Sequence, residues 1–228
     1  MMTKMETSSK GSLLYVLILP IACCLLFAFS TPTFRMELTP KSVNATGGLV
    51  IVVDAAHGGH DAGAQHVDGV SEKDITLSIA KAVRRAGAER NVQVILTRTT
   101  DEAFSLEDRV KMIERYQADA FISLHTNNNP ENTAMAGVGC VVSGESAKFD
   151  ESVRLAQIVL QQFQNFDGLG VSGMKTFNPY IIRTNKIPSI LLEVGFLSNP
   201  KDNSFLADQR NHASISKSII DAVVQFKK

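Results

Sequence analysis

The chain has 228 residues, 44% of them apolar, with 23 basic and 23 acidic side chains and a pI near 7.0. Those figures exclude a disordered chain and leave no global positive field to draw it onto nucleic acid. The length suits one domain with an appendage, and about 180 residues can bury a sizeable core without covalent staples.

The appendage comes first in the chain. Leu13 to Phe29 is an unbroken apolar run of 17 residues, preceded by Lys4 and Lys10 and followed by the small-residue stretch Ala28-Phe29-Ser30. Residues 1–30 therefore read as an export signal peptide, or as an uncleaved signal anchor, since the run is just long enough to span a bilayer. A lipid-attachment cysteine at Ala22-Cys23 is a third reading, with Pro20 badly placed for it. Each of these puts the remainder outside the cytoplasm, in the periplasm or cell-wall space, with membrane contact only through this segment. Cys23 and Cys24 fall inside it, so Cys140 is the one cysteine of the mature part, which precludes an internal disulfide or a thiolate metal site there. In Val138-Gly139-Cys140-Val141-Val142 it reads as a small buried hydrophobe in a strand.

Residues 31–48 turn to Thr, Ser and Pro and close on Gly47-Gly48, the composition of a linker. From Leu49 to the end at 228 a single catalytic domain is expected, with no repeat or low-complexity stretch. Leu49 to Asp54, Val92 to Thr97 and Ala120 to Leu124 are continuously apolar and β-branched, as strands buried on both faces are. Between them Ile75, Ile79, Ala82, Val83 and Ala86 recur at helical spacing, and Leu106, Val110 and Ile113 do so more weakly. Ser71 with Asp74 and Ser105 with Asp108 resemble capping pairs. Further elements are a strand over Gly137 to Ser143, a helix over Ser152 to Phe163, a short strand over Tyr180 to Arg183, a strand over Ile190 to Val194 and a closing helix over Gln209 to Phe226. The expected fold is α/β: an open, mostly parallel sheet of about six strands with helices on both faces and right-handed crossovers.

In such a sheet ligands bind beyond the carboxyl ends of the strands. His57 follows the first strand, His125 the third, Glu193 closes the late strand, and Glu72 opens the first helix on the same edge. Two imidazoles and a carboxylate match a hydrolytic Zn2+ site better than a Mg2+ or Ca2+ site, and a second carboxylate can move protons. Singly, each has a plainer role: a solvated loop histidine for His57 or His125, a first-turn acid facing the helix dipole for Glu72. Glu193, ending a buried strand, is costly to leave unpaired.

These residues also carry a family resemblance. Val52-Val53-Asp54-Ala55-Ala56-His57-Gly58-Gly59-His60-Asp61-Ala62-Gly63-Ala64, Glu72-Lys73, Thr97-Arg98, Ala118 to Asn127 and Leu192-Glu193-Val194-Gly195-Phe196-Leu197-Ser198-Asn199-Pro200 resemble, in order, the zinc-dependent N-acetylmuramoyl-L-alanine amidases of the amidase-3 type. The resemblance runs from Val50 to about Phe226. It implies His57, Glu72 and His125 as zinc ligands, Glu193 as the catalytic carboxylate, and peptidoglycan as substrate, cut at the amide joining muramic acid to the first L-alanine. Zinc with three protein ligands lowers the pKa of water to about 7, and Glu193 would take the proton of that water and pass it to the departing amine. A Pro-Gly pair usually stands where this chain has Ala55-Ala56, a departure expected to change the loop but to remove no ligand. Some relatives carry a helical insert that blocks the site, whereas only Asn128 to Ala136 intervenes here, so self-inhibition of that kind is not expected.

Weaker expectations attach to other residues. Asn127 and Asn128 suit hydrogen bonds to sugar or peptide, and equally suit a turn. Arg98 suits a substrate carboxylate, or a salt bridge to Asp101 or Asp108. Asp54 either orients a ligand histidine or is purely structural. His60, His66 and His212 read as surface residues or neighbours of the site. HExxH, GxSxG, a P-loop and a complete GxGxxG are missing, and Ser214-Ile215-Ser216-Lys217 matches SxxK without its companion motifs. Two alternatives stay open: a wall-binding homologue that no longer turns over, and a zinc peptidase or deacetylase acting on another bond. A protein activator is a further partner the sequence leaves open.

Overall fold

The structure, a computed structural model, describes residues 48–66 and 68–228. The expected export segment and all of the linker but Gly48 lie outside the described residues.

Six strands form one sheet in the order β2-β1-β3-β6-β4-β5. They are β1 (Leu49–Ala55), β2 (Val92–Leu96), β3 (Ala120–Asn127), β4 (Val138–Val142), β5 (Val171–Thr176) and β6 (Ser189–Phe196). Neighbours pair in parallel except β4 with β6, so β4 and β5 run against the other four strands. The helices are α1 (Glu72–Glu89), α2 (Leu106–Tyr116), α3 (Phe149–Phe163), α4 (Tyr180–Arg183), α5 (Pro200–Ala207) and α6 (His212–Lys227).

The alternation of each strand sends its apolar side chains to two cores. Ile51, Val53, Ile122, Leu124, Cys140, Ile190 and Leu192 meet the apolar stripes of α1, α3 and α6, including Ile79, Val159 and Ile219, all fully buried. On the opposite face Val50, Val52, Phe121 and Val141 pack on Ile113 of α2 and on Ile181 and Ile182 of α4, a thinner layer. Helices thus cover both faces, as the pattern requires. Cys140 is fully buried against this core, and burial raises its thiol above the ordinary range, so it fits the role of a small hydrophobe.

Four elements differ from expectation. Tyr180 to Arg183 is one turn of helix, not a strand: Pro179 pre-sets the entry, and the N–H groups of Ile182 and Arg183 both donate to its carbonyl. β5 gave no signal because VSGMKT is an edge strand and mostly exposed. α5 went unread although Asn199 caps it, its side chain accepting from the N–H groups of Lys201 and Asp202, with Pro200 in the first turn. The closing helix is broken, with a 3-10 turn over Gln209–Asn211 before α6. Of the two expected caps, Ser105 accepts from the Asp108 N–H at 3.1 Å, while Ser71 Oγ turns to the Asp74 carboxylate. Between β3 and β4 the chain forms turns only, with no helical insert.

Candidate metal centre

β3 and β6 continue past their expected ends, so His125 lies within a strand rather than after it, and Glu193 lies inside β6 as expected. They are register partners in adjacent parallel strands, which places both side chains on the sheet face that α2 and α4 cover elsewhere. His57 enters from the loop after β1 with φ of 61°, and Glu72 is the first residue of α1, where the positive end of the helix dipole favours a carboxylate.

These elements bring three donors together. One ligand atom each from His57, Glu72 and His125 lies within 4.8 Å of the others. His57 Nε2 stands 3.2 Å from Glu72 Oε2 and His125 Nδ1 stands 3.0 Å from Glu72 Oε1, with the rings edge to face at 5.3 Å. Glu72 is 4% exposed and also accepts from the backbone N–H groups of Ala64 and Thr126, both at 2.9 Å. Burial opposes its ionisation, yet the hydrogen bonds from His125 and His57 outweigh that and hold the carboxyl well below the usual carboxylate range. The Glu72 hydrogen bond in turn raises His57 to about 8 against the effect of burial, with help from Asp61. Among the described residues this is the one group of three or more His, Cys, Asp or Glu side chains able to share an ion. Among the described residues no lysine or arginine bonds to Glu72, whose carboxylate is met by two imidazoles and two backbone N–H groups, and two imidazoles with one carboxylate are a donor set that fits zinc.

The loop bearing His57 is held by buried cations. Arg109, on α2, donates to the carbonyls of Ala55 at 2.8 Å and His57 at 2.7 Å and pairs with Asp54 at 2.6 Å. Arg98 donates to the carbonyls of Ala55, Ala56, Lys73 and Thr100. Arg98 is 2% exposed, which leaves it little surface to offer a substrate, and its guanidinium goes to these four carbonyls rather than to the expected Asp101 or Asp108. Asp101 instead pairs with Lys73 at 2.6 Å. Asp54 likewise does not touch a histidine ring. Its oxygens take Arg109, Thr97 and Ser123, so it fixes His57 only through the Arg109 bond to the backbone. The carboxylate that meets the His57 ring is Asp61, whose Oδ2 lies 2.8 Å from Nδ1 and so leaves Nε2 to face Glu72. Asp61 was within reach of sequence reasoning, four residues after His57 in the same loop.

Neither Ala55 nor Ala56 has positive φ, so alanine meets no strain there, and the Ala55 N–H donates to Thr97 Oγ1, a bond proline could not make. Asn127 is drawn into the site: its Nδ2 donates to Glu193 Oε2 at 2.7 Å. Asn128 is not. It is exposed, and its N–H donates to Asn127 Oδ1, the turn role. Glu193 also meets Lys175 Nζ, at 3.1 Å from Oε2. Lys175 escaped notice because β5, an exposed edge strand, gave no periodic signal, so nothing in the letters brought it beside Glu193. Of the remaining histidines, His66 pairs with Asp68, and His212 is buried, contrary to a surface role, between Ser78 and the Leu206 carbonyl.

The model of the N-acetylmuramoyl-L-alanine amidase family of amidase-3 type matches residues 51–225. The chain belongs to this family. The structure of the N-acetylmuramoyl-L-alanine amidase AmiC2 of Nostoc punctiforme is similar with a TM-score of 0.74 and 31% identity, covering 79% of this chain and 98% of that one. The amidase CwlD from Clostridioides difficile, solved in complex with the GerS lipoprotein, is similar with a TM-score of 0.70 and 27% identity over 79% of this chain and 98% of its own. LytC of Bacillus subtilis, an N-acetylmuramoyl-L-alanine amidase, is 29% identical over 203 residues, 86% of this chain. The match spans only 39% of LytC. The α/β domain of this chain thus matches nearly the whole length of the two solved amidases.

Proposed function

We propose that this family member hydrolyses the amide between N-acetylmuramic acid and the first L-alanine of the peptidoglycan stem, with zinc held by His57, Glu72 and His125. The observation that carries the reading is the convergence of those three donors within 4.8 Å, with Glu193 in register beside His125. Bound zinc supplies Lewis acidity, which activates water near neutral pH and polarises the scissile carbonyl. Asp61 keeps His57 in the tautomer that presents Nε2 to the ion. Glu193, oriented by Asn127, accepts the proton of the attacking water and delivers it to the leaving nitrogen as the C–N bond breaks, giving a free carboxyl on the muramic acid and a free alanine amine.

Export to the cell-wall space belongs to the same reading. It is supported by the segment 1–30 and by the cell-wall relatives, and among the described residues no helix is long and apolar enough to cross a membrane. The lipoprotein bound to CwlD supports keeping a protein activator in view.

Digestion of purified peptidoglycan with mass spectrometry of the products tests the bond: stem peptides with a free amino-terminal alanine and intact glycan strands are expected, and cleaved cross-links or cut glycans would overturn it. Two variants test the roles. Glu193→Gln keeps stoichiometric zinc and loses at least about 100-fold in turnover, whereas His125→Ala loses the metal; equal metal loss in both would reassign Glu193 as a ligand.

A further inference from the structure

The strand order orders the chemistry across the sheet. His57 follows β1, His125 is on β3, Glu193 on β6, and beyond it come Gly139 on β4 and Lys175 on β5. If the carbonyl of the scissile amide sits at the His-Glu-His cluster and its nitrogen at Glu193, the peptide attached to that nitrogen continues away from the cluster, over β4 towards β5, each strand adding about 4.8 Å. The sugar side falls in the opposite direction.

The surface on that side is polar and lies at the open edge of the sheet. Gly139 lets Ser172 and Glu193 close over the backbone of β4: a Cβ there would stand 2.7 Å from Ser172 Oγ and 3.1 Å from Glu193 Oε2, so the Ser172 hydroxyl lies near the Glu193 carboxylate. β5 is the sheet edge, and Ser172 and Lys175 are exposed. Lys175 carries an ammonium with three donors, 3.1 and 3.3 Å from the Glu193 oxygens, longer than the 2.7–2.9 Å of a tight charge-assisted bond. The other cations bonded around the site are committed: Lys73 to Asp101 and the Gly59 carbonyl, Arg98 to four carbonyls, Arg109 to Asp54 and the loop. Lys175 keeps donors to spare, and its charge offsets that of Glu193, which would otherwise repel an acidic peptide.

We propose that Lys175, with Ser172 on the same edge strand, forms a subsite that binds a carboxylate carried by the leaving stem peptide, one residue beyond the alanine. This rests on the amidase reading for the direction of the substrate. It makes Lys175 a specificity residue for stems with a free carboxylate over amidated ones.

The test uses the full chain, zinc-loaded, as wild type, Lys175→Met and Lys175→Arg. Binding of the product-like peptide L-alanyl-D-glutamate and of its diamide is measured by calorimetry, and hydrolysis of the two corresponding N-acetylmuramoyl peptides is followed in parallel. The wild type is expected to favour the carboxylate by about five- to tenfold in both assays, a preference abolished in Lys175→Met and largely kept in Lys175→Arg. Equal loss for carboxylate and diamide in Lys175→Met would overturn the subsite and leave Lys175 as a support for Glu193. If no muramoyl peptide is cut but the binding preference follows Lys175, the subsite stands and the assigned reaction fails. If both substrates are cut and the wild type shows no preference, the subsite fails and the reaction stands.

Discussion

Gly63 shows how little room the candidate ligands leave. It holds φ of 64°, and a Cβ there would lie 2.6 Å from His57 Cδ2 and 2.7 Å from Glu72 Oε2. Gly63→Ala must therefore displace one or both ligands without opening the core, and zinc affinity is expected to fall about 10- to 100-fold, the range for disturbed ligand support. Competition with a chromogenic chelator measures it; unchanged affinity with an unchanged circular dichroism spectrum would show that the two side chains do not act as ligands. At this scale the sequence was most legible where a residue type has few uses. Two histidines and two glutamates at strand ends and a helix start are unusual enough to notice together. Arg109 and Arg98 were not legible in their true role, because a buried arginine serving backbone carbonyls looks, in a string of letters, like any surface arginine. Lys175 needed the sheet order before its position meant anything.

Among the elements, α1 and α6 illustrate two opposed effects. Gly87 sits in the last turn of α1, where alanine would raise helix propensity by less than about 1 kcal/mol. Its Cβ would however stand 2.5 Å from Val94 Cγ2 and 2.9 Å from the Val92 carbonyl on β2. Overpacking costs about 1–3 kcal/mol, so Gly87→Ala is expected to destabilise the domain by a net 1–2 kcal/mol or so in urea unfolding, and a gain in stability would show that the helix can lift off the sheet at no cost. At the start of α6, His212 is 3% exposed, and its Nε2 lies 2.8 Å from the Leu206 carbonyl, so Nε2 carries the proton and Nδ1 accepts from Ser78 Oγ at 2.8 Å. Burial depresses its pKa below 6.5, more than the Leu206 bond and Asp208 raise it. A depressed folded-state value means that the unfolded chain binds the proton first. The contribution is thus full above pH 6.5 and is lost as pH falls through the lower folded value. His212→Asn should flatten the acid limb of stability below pH 6.5, and an unaltered slope in denaturant titrations would remove His212 as its source. Buried strands and amphipathic helices announced themselves by period. β5, α4 and α5 did not, being an exposed edge, a single turn and a helix of eight residues, too short or too polar for periodicity to register.

For the molecule as a whole, an ion bound only by the folded state adds to stability by mass action. Zinc at a thousand times its dissociation constant should contribute about 4 kcal/mol, seen as a rise in Tm that a chelator reverses and that His125→Ala lacks; an equal rise in that variant would place the ion elsewhere. The sheet order carries a different consequence. β6 comes last of the strands along the chain yet lies third from one edge, between β3 and β4, where it joins the parallel and reversed parts. Until Ser189 to Phe196 has been inserted, the two halves of the sheet have no common partner and each shows an unsatisfied row of N–H and C=O groups. A nascent or nicked polypeptide stopping short of Ser189 would accordingly be left with a sticky seam through its middle, prone to pair with other copies, and the same insertion that heals the seam delivers Glu193.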